Sequence, residues 1–156
     1  MTPPPTAPEP SDAATPAAET SLAGPVEVLD TQQCWQLLGT QTVGRLVTSA
    51  AGHIDIVPIN YRTDGQRMLF RTAEGTKLVE LTINDRIVFE VDHITPTSGW
   101  SVVLRGTARI LATSAEIAAA DNLDIPSWVP TPKHNIVEIH PTTLTGRYLH
   151  FDADPT

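Results

Sequence analysis

The stretch LFRTAEGTKL at residues 69–78 holds the side chains best suited to chemistry. It reads as a strand end, a tight polar loop and the first turn of a helix. Hydroxyls on Thr72 and Thr76, small residues that bare backbone N–H groups, Lys77 at the loop exit and the dipole of the following helix together make a cradle for an anion such as phosphate. The same composition suits a plain strand-to-helix connection, and Glu74 works against an anion. Glu90 and Asp92 share one face of a strand end, which reads as a solvated rim, and nothing else supports a glycosidase-type pair. Arg105 and Arg147 are ordinary sheet-surface charges or, if they meet a ligand, fork donors for a phosphate, a carboxylate or a ring carbonyl. Trp100, Trp128 and Tyr61 offer flat faces that either stack on a planar ligand or pack a barrel end.

Other chemistries lack support. The five histidines, His53, His93, His134, His140 and His150, show no metal-ligand spacing and no partner Cys pair, so no metal site is expected; axial ligation of a haem is the ligand role left to them. GxSxG, Walker and GxGxxG patterns are absent, which removes the usual signs of a hydrolase, a nucleotide triphosphatase or a Rossmann domain. The single cysteine, Cys34, stands among Trp35, Leu37 and Leu38 and is expected to be a buried thiol. Charged residues make up 18% of the chain and the net charge is -8, so neither nucleic acid nor an anionic membrane is an expected partner. Any anion site must be local. No apolar run approaches the roughly eighteen residues of a membrane span, and the N-terminus lacks a secretory pattern; a cytoplasmic protein is expected.

The elements that must position these residues follow from periodicity and turn residues. Residues 1–25 are rich in Pro, Ala, Ser and Thr and offer no apolar face, which predicts a disordered tail before a single domain over 26–156. Asp30-Thr31 caps a short helix over 32–38 that Gly39 stops. Strands are expected over 43–48 and 53–61, with Pro58 marking an edge or a bulge, then over 68–70. A helix from Leu78 to about Asn84, a strand over 87–91 and a polar connection over 92–99 come next. Trp100 opens a long strand whose Val102, Leu104, Gly106, Ala108 and Ile110 share a core face, while Ser101, Val103, Arg105, Thr107 and Arg109 share the other. Thr113 and Glu116 form a capping box for a third helix, and a Pro-rich loop containing Trp128 follows it. The last two strands, 135–139 and 144–151, are separated by residues 141–143. Six or seven short antiparallel strands with three small helices as connectors suggest a closed barrel with helical plugs, because a sheet of this size needs its edges removed or covered.

In this order the motifs become recognisable: residues 65–78 with FRTAEGTK, GWSVVLRGTARI at 99–110 and IVEIHPTTLTGRY at 136–148. Over roughly residues 28–150 the chain resembles the pyridoxamine 5′-phosphate oxidase-like proteins, the flavin-binding split β-barrel superfamily. The resemblance implies a mainly β, antiparallel split barrel and a homodimer with the flavin in a cleft between subunits. By position it implies that Arg71, Thr72, Thr76 and Lys77 hold the phosphate. Val57, Pro58, Ile59 and Asn60 would line the ring, Trp100 and Ser101 would approach it from the partner subunit, and Gly146 with Arg147 would contact it from a C-terminal segment, with Arg105 or Arg147 available to orient a substrate anion. The sequence lacks the arginine near Ile54 and Asp55, the glutamine near Ser101 and the C-terminal substrate-binding set of the true oxidases. The vitamin-forming reaction is therefore not expected. The resemblance implies instead a flavin-dependent oxidoreductase using FMN or the deazaflavin coenzyme F-420 on an unidentified small molecule. The alternative is a non-catalytic dimeric barrel that binds haem, another tetrapyrrole or a flavin.

Overall fold

The computed structural model describes residues 26–72, 75–125 and 135–151. The predicted tail over 1–25, Ala73, Glu74, the Pro-rich loop with Trp128, and His134 lie outside them. Among the described residues eight strands and three helices follow in chain order: β1 (Val26–Leu29), α1 (Thr31–Leu38), β2 (Val43–Ala50), β3 (His53–Asn60), β4 (Arg62–Thr63), β5 (Met68–Thr72), α2 (Thr76–Ile83), β6 (Arg86–Ile94), β7 (Ser98–Ile110), α3 (Ser114–Asp121) and β8 (Asn135–His150). All strand pairings are antiparallel, in the order β3-β2-β6-β7-β8-β5-β4, with β1 added along β8. The sheet curls without closing, so the closed barrel that the strand pattern suggests is replaced by a split one. β3 and β4 end the path, and the barrel is split where β3 approaches β5.

Period-two patterning decides which face turns inward. Leu46, Phe89, Val91, Val102, Leu104, Val137 and Ile139 fill the interior with Met68, Phe70, Tyr61 and Trp100. The expected core face of β7 is the face that is buried. Helix α1 begins with a reciprocal cap: Asp30 accepts from the Gln33 N–H at 2.8 Å, and the Gln33 side chain accepts from the Asp30 N–H at 2.9 Å. It buries Cys34 and Leu38 against β7 and β8. Cys34 is fully buried, and burial pushes its thiol pKa up. Helix α3 has the expected cap of Thr113 and Glu116.

Two further expectations about the strands change. Residues 92–99 are not a polar connection: β6 runs to Ile94, β7 starts at Ser98, and a tight turn joins them through the Thr95 N–H donating to the Ser98 carbonyl at 2.7 Å. Residues 141–143 do not separate two strands either. β8 is one strand of 16 residues that pairs with β5 at its start and with β1 at its end. Pro141 is tolerated because the register shifts between Arg105 and Gly106, leaving Thr142 as the extra residue of a bulge. The Thr142 hydroxyl donates to the Arg105 carbonyl at 2.9 Å, and Gly106 permits the crossing because a Cβ there would sit 2.0 Å from the His140 carbonyl oxygen. Pro58 lies on β3, an edge strand, as its missing N–H requires. Among the described residues no helix is long and apolar enough to cross a membrane.

Candidate functional site

β5 carries Arg71 and Thr72 to the split, and α2 begins at Thr76 beside it. α2 packs on β2, and this brings Lys77 against the end of the β2–β3 hairpin. Lys77 Nζ lies 3.0 Å from Glu80 Oε2, 3.3 Å from Asp55 Oδ2 and 3.3 Å from Thr48 Oγ1. The Thr48 hydroxyl, itself buried, donates to Glu80 Oε2 at 2.5 Å. Bonds from Thr48 and then Lys77 hold the Glu80 carboxyl below its ordinary range, and Lys77 does the same for Asp55. Both acids are therefore ionised at neutral pH. Arg71 makes an ion pair with Asp121 at the end of α3, Nη2 to Oδ1 at 2.6 Å. The first turn of α2 has no side-chain cap, and Thr76 is exposed there.

On β3, Val57 and Ile59 turn inward and pack against the core, while Pro58 and Asn60 take the other face, opposite Arg45 and Val43 of β2. Among the described residues the far edge of β3 pairs with no strand, so its backbone groups line the split. A single chain thus gathers Val57, Pro58, Ile59, Asn60, Arg71, Thr72, Thr76 and Lys77 around the split. The other candidates lie elsewhere, because β2 and β6 stand between β3 and β7. Ser101, Arg105 and Arg147 share the outer face of β7 and β8, with Ser101 between Asp92 and Arg147 and Arg105 between Val88 and Thr143. Trp100 is only 7% exposed and belongs to the core. Gly146 serves packing: a Cβ there would meet Cys34 Sγ at 2.8 Å, so the missing side chain lets α1 sit down on β8. Tyr61 is also a core residue, edge-on to Phe89 at 5.2 Å, with its hydroxyl donating to the Leu38 carbonyl.

Sequence reasoning missed the acids at this site. Asp55 shares the inward phase of β3 with Val57 and Ile59, and Glu80 stands three residues after Lys77 on one helix face; those spacings were the available signals. The solvated-rim reading of Glu90 and Asp92 also changes. Arg45 bridges them, at 3.5 Å to Glu90 and 2.9 Å to Asp92. Glu90 Oε1 is buried without a hydrogen-bond partner, and burial followed by the Asp92 carboxylate pushes the Glu90 pKa up to about 7. His53, His93, His140 and His150 are exposed, and the described residues hold no cluster able to ligate a metal.

The family model for pyridoxamine 5′-phosphate oxidase matches residues 30–148. The chain belongs to the pyridoxamine 5′-phosphate oxidase family. A Corynebacterium glutamicum structure carrying the same family label is 36% identical, with a TM-score of 0.75 over 83% of this chain and 97% of that one. An FAD-binding protein from Mycobacterium smegmatis is 40% identical, with a TM-score of 0.69 over 80% of this chain and 98% of that one. An uncharacterized Mycobacterium tuberculosis protein is 35% identical over 91 residues, covering 58% of this chain and 83% of its own length. The family's split barrel is the fold described above, mainly β and antiparallel.

Proposed function

We propose that this family member is a flavin-dependent oxidoreductase, with the flavin phosphate between the end of β5 and the start of α2 and the ring along the outer edge of β3. The observation that carries the proposal is the position of Thr72, Thr76 and Lys77 at the mouth of the split, beside the edge of β3, which pairs with no further strand among the described residues and faces the space a planar heterocycle would take. The residues fit such a group. Thr76 and the uncapped first turn of α2 present donors to a phosphate, and Val57 and Ile59 give an apolar wall. The likeness to the M. smegmatis FAD-binding protein supports a flavin, and FMN and the deazaflavin coenzyme F-420 are further candidates.

When bound, a flavin supplies hydride or single-electron transfer to a small molecule. This chain contributes binding, orientation and exclusion of water. A second copy, seated in a homodimer, would bring Ser101, Arg105 and Arg147 from its outer β7–β8 face toward the ring. The test is to titrate the purified protein with flavins while recording absorbance, then to supply reduced flavin and assay candidate acceptors. Saturable binding with turnover supports the proposal. Binding without hydride transfer to any acceptor would reduce it to a carrier of flavin, and absence of binding would remove it.

A further inference from the structure

We infer that this site prefers a flavin or deazaflavin whose phosphate is a diester over the terminal phosphate of FMN, and that Asp55, Glu80 and Asp121 set the preference. It presupposes the flavin site proposed above and names which flavins fit it. Both cations of the loop are already matched by this chain. Lys77 lies between Asp55 and Glu80, and Arg71 is paired with Asp121. Two cations thus face three carboxylates. The side chains of Lys77 and Glu80 are only 16% and 12% exposed, so solvent screens their charges weakly. The one other titratable group on this end of β3, His53, is exposed.

A phosphate monoester carries about -1.5 to -2 charges near pH 7, because its second ionisation falls near pH 6. A diester carries one. Among the described residues the sum of these charges is negative, so the second charge adds repulsion and gains no new cation from this chain. The other phosphate donors here among the described residues are neutral: the hydroxyls of Thr72 and Thr76 and the backbone N–H groups at the start of α2. Such donors bind either form at short range without offsetting net charge.

The test compares FMN with its monomethyl ester, which has the same ring and ribityl chain and one charge fewer, by flavin fluorescence with the full chain at pH 7.5 and pH 5.5. At pH 7.5 the ester should bind about 10-fold tighter or more, and the gap should shrink several-fold at pH 5.5, where FMN takes up its second proton. Asp55→Asn changes a side chain that is 40% exposed, so the fold should tolerate it; it should narrow the gap at pH 7.5, mainly by tightening FMN. FMN binding as tightly as the ester at pH 7.5, or a gap indifferent to Asp55→Asn, overturns the preference and leaves the flavin site standing. Failure of FMN, the ester and FAD alike to bind overturns both.

Discussion

Glu90 is the residue whose environment departs most from its sequence context. Its carboxyl is 28% exposed, shares Arg45 with Asp92 and keeps its proton up to about pH 7, against an ordinary value of 4.5. A folded-state pKa raised in this way favours the native state at pH values below the unfolded pKa. That contribution drains away as pH rises from about 4.5 through 7 and is gone above it. Glu90→Gln keeps a donor toward Asp92 and removes the ionisation. Chemical denaturation should therefore show the variant more stable than the parent by about 1–2 kcal/mol at pH 8, after allowance for solvent screening, and nearly equal to it at pH 4.5. The opposite trend would place the proton elsewhere in the cluster. The Lys77 cluster shows a different limit of sequence reading. Thr72, Thr76 and Lys77 lie within six residues of one another and their chemistry is legible in order. Asp55 arrives from β3, twenty-two residues upstream, and only folding brings it to Lys77.

At the scale of elements, local signals survived where the physics is local. The capping boxes of α1 and α3 are closed by residues three apart, and the alternation along β7 is a property of one strand. The long β8 was not legible, because Pro141 reads as a break unless a neighbour can absorb it. That neighbour is Gly106 on β7, about 35 positions away in sequence, where the bulge forms. The short strand β1 was missed for a similar reason: it exists through its pairing with the end of β8, and four residues carry little periodicity alone. Two substitutions test these packing arguments. Gly146→Ala should lower stability by about 1–3 kcal/mol, read as a fall in Tm, because α1 must lift from β8 to make room beside Cys34 and Leu29. Gly106→Ala should cost at least as much, since the new methyl would meet rigid backbone at His140 where Gly146→Ala meets movable side chains.

At the scale of the molecule, the sheet presents an outer face over β3, β2, β6 and β7 that carries Ile54 and Ile56, 73% and 60% exposed, beside Val47, Val88 and Val103. Exposed isoleucines on an edge strand call for a cover, and the proposed homodimer would supply one. Sedimentation should show a dimer for the parent chain, and Ile54→Lys with Ile56→Lys should convert it to a monomer with unchanged far-UV circular dichroism; a parent monomer at tens of micromolar would contradict the dimer. The central claim is the flavin at the split, and a fluorescence titration with FAD tests it most directly. Saturable binding with a Kd of about 1–10 μM or tighter is the predicted result, weakened about 5- to 30-fold when Thr72 and Thr76 are both replaced by Ala, the worth of two hydrogen bonds. No saturation, or a double variant that binds as tightly as the parent, would contradict it.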